Sequence, residues 1–209
     1  MIKIEAFTLG PVQTNAYLLT DPDTDKGIII DPGMNPQSLI KRIAGLEIEA
    51  ILLTHAHFDH IGGVEEIRKL KSCPVYLHDL EADWLTNPKK NGSARWPELE
   101  ALIVVEPAEY ALDEGQVLEF LGGALRLQVF HTPGHSPGSV SFLYEKHLFG
   151  GDVLFRLSVG RTDLPGGESS ELLNSIHGKL FDLEDDTIVY PGHGAKTTIG
   201  FERENNPYL

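Results

Sequence analysis

The order of elements along the 209-residue chain predicts a mixed α/β protein, with two mixed sheets packed on one another and helices outside. Three observations carry this. Short apolar runs with strand character recur from one end of the chain to the other. Stretches with helical spacing interrupt them in both halves, giving a ββα-like order twice over. Several strand-like runs are apolar without alternation, as expected of strands covered on both faces. A doubly wound parallel sheet fits this order less well, and periodicity alone leaves it open.

The elements follow in order. "IKIEAF" (2–7) alternates, "NAYLLT" (15–20) is apolar, "DPDTDKG" (21–27) has turn chemistry, and "GIIID" (27–31) reads as a buried strand. "PQSLIKRIAG" (36–45) has helical spacing and closes on Gly45. "IEAILLT" (48–54) is a second buried strand. After it, Ile61, Val64, Ile67 and Leu70 predict one face of an amphipathic helix. "PVYL" (74–77) resumes strand character, and residues 86–108 have the strongest loop composition, predicting a surface excursion or lid. "QVLEFL", the turn Gly122–Gly123 and "ALRLQVF" predict a hairpin with Leu125, Leu127 and Val129 on one face. "SVSFLYE" and "HLFGGD" are further strands, "ESSELLNSIHGKLF" (168–181) is helical, and "TIVYPGHG" (187–194) is a strand running into a glycine turn. Without repeats or a composition break, residues 1–209 are expected to form one domain.

Composition narrows the function classes. A 41% apolar fraction supports a packed core. No apolar run approaches the roughly 18 residues needed to span a bilayer, and "MIKIEAFTLG" lacks a secretory pattern, so a cytoplasmic setting is expected. A formal charge of −14 argues against nucleic-acid binding, which needs a basic surface. The single cysteine, Cys73, excludes an internal disulfide and a thiolate cage, and is expected to be a buried structural thiol.

The chemistry is concentrated in "ILLTHAHFDHIGG" (51–63), where His55, His57, Asp59 and His60 fall at the end of a buried strand. Imidazole and carboxylate suit a borderline divalent ion such as zinc. Four ligands from six residues converge poorly on one ion, so two adjacent ions that borrow distant ligands make the better geometry. His135 in "HTPGHSPGS", Asp152 in "FGGDVLF" and His193 in "YPGHGAK" are the candidates, each after apolar residues and beside glycine or proline that turn the backbone sharply. His78, His131, His147 and His177 read as structural.

"THAHFDH" resembles the T-H-x-H-x-D-H signature of the metallo-β-lactamase superfamily, with His135, Asp152 and His193 in the expected order behind it. The resemblance covers nearly the whole chain and implies a four-layer αββα sandwich with two divalent ions at one edge of the sheets. It makes His55, His57 and His135 ligands of the first ion, Asp59, His60 and His193 ligands of the second, and Asp152 the bridge. Asp31 in "IIIDPG" matches a family aspartate expected to orient an imidazole. The ions are expected to be zinc, with iron or manganese as alternatives.

Within the superfamily the chain is similar to the short bacterial branch of the glyoxalase II (hydroxyacylglutathione hydrolase) group, through "LGPVQTNAYLL", "HTPGHSPGS", "GDVLF" with Gly160–Arg161 five residues on, "PGHG" and "ERENNPYL". That likeness implies hydrolysis of a small-molecule thioester by a hydroxide shared between the ions, with Asp59 and Asp152 as the catalytic carboxylates. Arg161 is the candidate for holding a carboxylate of the thiol moiety, and Arg156 a second one. Ala195 stands where longer members carry a glutathione-contacting tyrosine, so a different thiol or a wider acyl range stays open. An iron-dependent persulfide dioxygenase and a nuclease on the same fold are the rival readings, and a β-lactamase or a non-catalytic binding module are further ones.

Overall fold

The computed structural model describes residues 1–209. Its first sheet holds β1 (Lys3–Leu9), β2 (Thr14–Asp21), β3 (Lys26–Ile30), β4 (Glu47–Leu52), β5 (Val75–His78) and β6 (Tyr110–Leu112), side by side in chain order. β1 to β3 pair antiparallel and β3 to β6 pair parallel, so the sheet is mixed. The parallel crossovers carry α1 (Gln37–Arg42), the single turn α2 (Phe58–Ile61) and α3 (Val64–Lys71). The second sheet is built from β7 (Val117–Phe120), β8 (Leu125–His131), β9 (Val140–Tyr144) and β10 (His147–Gly151). After the small hairpin of β11 (Leu154–Phe155) and β12 (Ser158–Val159), α4 (Ser169–Gly178) leads to β13 (Ile188–Pro191), β14 (Thr197–Thr198) and α5 (Ile199–Asn205). The order across this sheet is β14-β13-β10-β9-β8-β7, with β10 and β13 parallel and the other pairs antiparallel.

The period-2 alternation of strands explains why the inner runs are apolar throughout. On β3, Ile28 and Ile30 enter the core between the sheets, while Ile29 enters the core under α1 and α3. On β4, Ala50 and Leu52 face inward and Ile51 outward. The second sheet repeats the pattern: Phe149 and Tyr190 join the central core, and Leu148 and Val189 pack beneath α4 and α5 with Leu172, Ile176 and Ile199. Three apolar layers therefore hold four structural ones, the αββα sandwich expected from the resemblance. Leu125, Leu127 and Val129 line the central core as their alternation predicts.

One expectation about the helix after the histidines needs correction. Ile61, Val64 and Ile67 are fully buried, but Leu70 is 56% exposed. A helix turns ~100° per residue, so steps of three drift ~60° each and carry Leu70 off the packed face. Gly62 and Gly63 also separate α2 from α3. Strands β6, β11, β12 and β14 and helix α5 carried no pattern strong enough to be read from the sequence. No helix is long and apolar enough to cross a membrane. Cys73 is buried, and burial raises its thiol above the ordinary value, consistent with the structural reading.

The sheets are joined across one edge. Val140 N donates to Thr54 O at 2.8 Å, Asn15 N to Gly192 O at 2.7 Å, and Thr14 forms an isolated β-bridge with His193. Every residue of the histidine–aspartate set lies at or beside this seam.

Candidate metal centre

The strand ends bring the seven predicted residues together. His55, His57 and His135 form one group with ligand atoms within 4.8 Å of one another, and Asp59, His60 and His193 form a second. Asp152 joins a third group with His55 and His60, between the other two. Across the centre, His57 Nδ1 lies 2.9 Å from His135 Nε2, and His193 Nε2 lies 3.3 Å from Asp59 Oδ2 and 3.4 Å from Asp152 Oδ2. His60 Nε2 lies 3.4 Å from both Asp59 Oδ2 and Asp152 Oδ1.

A surrounding layer of hydrogen bonds selects which ring atom faces inward. Asp31, at φ 50 just after β3, accepts from Thr54 N at 2.8 Å and from Thr54 Oγ1 at 2.6 Å. Its Oδ2 lies 2.9 Å from His60 Nδ1, which leaves His60 Nε2 for the centre. His135 Nδ1 donates to the Arg161 carbonyl at 2.7 Å, freeing its Nε2 in the same way. Thr54 Oγ1 lies 3.0 Å from His55 Nδ1, and Thr14 Oγ1 donates to Asp59 Oδ2 at 2.7 Å. Gly192 is required by closeness: a Cβ there would stand 2.1 Å from Asp152 Oδ1.

The electrostatics divide the centre in two. Burial holds His55 well below its ordinary value and His57 down at about 3, with neighbouring imidazoles adding to the effect, and burial lowers His135 too. These rings are neutral at pH 7 and present lone pairs. Burial opposes charge at His193 and His60 as well, but nearby carboxylates outweigh it, pushing His193 up to about 10 and His60 well above its ordinary value. Burial likewise opposes the charge on Asp59, yet His60, His193 and Thr14 hold its carboxyl at about 2.

Whether the residues suit metal ions can be judged from the donors themselves. His55 Nε2, His60 Nε2 and Asp152 Oδ1 are buried atoms with no hydrogen-bond partner, and all three point into the cluster. Buried polar atoms rarely go unpaired unless something else satisfies them. Imidazole nitrogens and carboxylate oxygens at these separations fit divalent ions.

Five members of the cluster, His57, Asp59, His135, Asp152 and His193, form the floor of a cavity of about 670 Å³, within the usual range for small-molecule sites, with His55 and His60 fully buried behind them. Phe58, Trp96, Phe155 and Leu164 supply apolar wall, and Arg161 lies on the rim. Arg161 also makes a two-point ion pair with Asp163, both contacts at 2.7 Å. Arg156 does not line the cavity: its guanidinium stacks over Phe201 at 5.0 Å, which takes it away from the substrate position expected from the sequence. The excursion at 86–108 does reach the cavity, through Lys90, Asn91, Arg95 and Trp96. Thr14 and Thr54 were not foreseen as supporting residues, although both lie in stretches that carried the resemblance. Buried Glu81 was not foreseen either. It accepts from Ala56 N at 2.6 Å and Gly138 N at 2.8 Å, tying together the loops of His57 and His135.

This fold and this cluster define a class of metal-dependent hydrolases. Residues 9–193 match the metallo-beta-lactamase superfamily, and the chain belongs to that family. It is 42% identical to a probable metallo-hydrolase, YqgX, of Bacillus subtilis (strain 168), over 100% of this chain and 98% of that one. It is 35% identical to the hydroxyacylglutathione hydrolase GloC of Haemophilus influenzae, again over 100% and 98%. Among solved structures, BLEG-1 B3 metallo-beta-lactamase superposes with a TM-score of 0.93 at 48% identity, covering 99% of both chains. TTHA1623 in a di-iron-bound form superposes with a TM-score of 0.83 at 40% identity, covering 98% of this chain and 100% of that one.

Proposed function

We propose that this metallo-hydrolase cleaves a thioester of a small thiol, releasing a hydroxy acid and the thiol in the manner of glyoxalase II, in the cytoplasm. The observation that carries the reading lies at the floor of the cavity and just behind it, where seven imidazole and carboxylate side chains converge and three buried donor atoms lack any partner. Whole-length similarity to a hydroxyacylglutathione hydrolase supports the same substrate class.

His55, His57 and His135 would hold one divalent ion, Asp59, His60 and His193 the other, and Asp152 would contact both. Zinc fits this donor set, as does iron, which the di-iron form of a 40% identical protein holds. Bound there, such ions would supply Lewis acidity and lower the pKa of a water toward ~7. Asp59, locked by Thr14 and facing His193, orients the attacking water. Asp31 holds His60, and the Arg161 carbonyl holds His135, so the floor keeps its geometry as substrate enters. The leaving thiol, with a pKa of about 8.5, departs as thiolate without a strong acid, and no further acidic group on the chain need supply a proton. The Arg161 guanidinium is suited to a carboxylate of the thiol moiety.

The test is hydrolysis of S-D-lactoylglutathione by protein of measured metal content. A kcat/KM of roughly 10⁴ M⁻¹s⁻¹ or more is expected, within the ordinary enzyme range. A negligible rate with both ion positions filled would remove this thioester as substrate. Similarity to BLEG-1 B3 metallo-beta-lactamase favours a second reading, opening of a β-lactam amide on the same floor. Nitrocefin hydrolysis exceeding thioester hydrolysis would select it.

A further inference from the structure

The segment from 86 to 108 is anchored to the centre from inside. Asn91, fully buried, accepts from Phe58 N through its carbonyl at 2.9 Å, and Phe58 stands between His57 and Asp59. The Asn91 side chain donates to Ile103 O at 2.9 Å and accepts from Ser93 N at 3.0 Å, which fixes the turn Ser93–Arg95. Trp96 follows and packs on Phe58 at 5.5 Å. The excursion is thus a wall held to the metal-binding loop, with Arg95 and Trp96 facing the cavity.

Charge is distributed unevenly around that cavity. The chain carries 31 acidic residues against 17 Lys and Arg, yet only Asp59 and Asp152, both in the ligand cluster, bring carboxylates to the cavity lining. Three cations line it: Lys90, Arg95 and Arg161. Lys90 is paired with Asp83 and Arg161 with Asp163. Arg95 makes no ion pair and no side-chain hydrogen bond, and is exposed. A guanidinium fork without a partner, beside an apolar indole, matches a ligand with a carbon body and an anionic end. In a chain of charge −14, an unpaired Arg95 also draws anions toward this opening.

We infer that residues 90–96 form the substrate-recognition wall, and that Arg95 receives a carboxylate or phosphate on the thiol half of the substrate. This rests on the thioester reading above. The test compares three lactoyl thioesters on metal-loaded protein: those of glutathione (carboxylates), coenzyme A (phosphates) and N-acetylcysteamine (neutral). Wild type should prefer one anionic thioester. In Arg95→Glu the ratio of its kcat/KM to that of the neutral thioester should fall about tenfold or more, mostly through KM, and Arg95→Lys should recover part of it. Whichever anionic thioester responds identifies the group. No preference in wild type, or an equal loss on all three substrates, would overturn the inference. Should wild type hydrolyse none of them, the hydrolase reading fails separately. Calorimetric binding of S-methylglutathione and coenzyme A then decides: tenfold weaker binding in Arg95→Glu upholds the anion site, and equal or absent binding overturns it.

Discussion

Replacing Glu81 by glutamine separates a residue that fixes ligand geometry from one that merely fills space. Both carboxylate oxygens are engaged, one by Ala56 N and the other by Gly138 N, and the side chain is 0% exposed. A glutamine offers one accepting oxygen and turns its NH₂ toward the remaining N–H, leaving a buried donor unpaired. That costs about 1–3 kcal/mol, which in a chain of this size lowers the melting temperature by roughly 2–12 °C. Ala56 sits between His55 and His57, and Gly138 three residues past His135, so the lost bond loosens the loops of three donors. Ion affinity should fall about 10- to 100-fold, as for other groups that orient ligands. The assay is a zinc titration against a competing chelator, alongside thermal unfolding of the ion-free protein. Glu202→Ala is the control: Glu202 is equally buried and accepts from Leu157 N, Asn206 and Thr197, away from the ligands. It should lose stability with ion affinity unmoved. Glu81→Gln with zinc affinity within twofold of wild type would refute the reasoning.

Chelation of the native protein should lower its melting temperature, and the gap should widen with added zinc, since ions that bind only the folded state stabilise it by mass action; a melting point indifferent to zinc would count against two filled positions. Asp31→Ala removes the acceptor of Thr54 and His60 together, and should cost roughly 10- to 100-fold in affinity at the Asp59–His60–His193 position, read as the weaker step of a zinc titration. Gly192→Ala drives a methyl group against Asp152 Oδ1, and should leave a folded chain, by circular dichroism, with less than one ion bound by elemental analysis. The hydrogen bond from Arg42 holds Glu5 below its ordinary value of 4.5, so the pair stabilises the fold above that pH and ceases to as pH falls through the lowered value. The half-kilocalorie or so expected of a partly exposed pair should separate Arg42→Ala from wild type at pH 7 and fade in urea unfolding as pH falls well below Glu5's ordinary 4.5.

The sequence revealed what local periodicity and ligand chemistry encode. Continuous apolar runs such as Ile28–Ile29–Ile30 announced strands covered on both faces, and the structure buries them in two different cores. The seven ligand-type residues were legible because four crowd behind one apolar run, the other three follow later runs beside glycine or proline, and the family signature sets their order. Leu70 was misread because spacing of three imitates a helical stripe over short distances only. The two-residue strands and α5 were invisible, being too short or too polar to show a period. Thr14 and Glu81 act through partners far along the chain, Thr14 across 45 positions to Asp59 and Glu81 across 57 to Gly138, and no local pattern marks such a pairing. Arg161 stood ahead of Arg156 as a substrate contact in the sequence, and folding separates them further, sending Arg156 to Phe201 and Arg161 to the cavity.

The seam between the sheets has a consequence for how the chain folds. His55, His57, Asp59 and His60 follow a strand of the first sheet, whereas His135, Asp152 and His193 follow strands of the second, and every triad of donors draws from both. Neither sheet alone can complete an ion position. Ion binding would therefore favour the docked arrangement of the two sheets, each ion acting as a rivet through both halves. The His55–His57–His135 position draws on nothing beyond the loop after β8, whereas the Asp59–His60–His193 position waits for β13, near the far end of the chain. Filling of the second position would thus mark the end of folding.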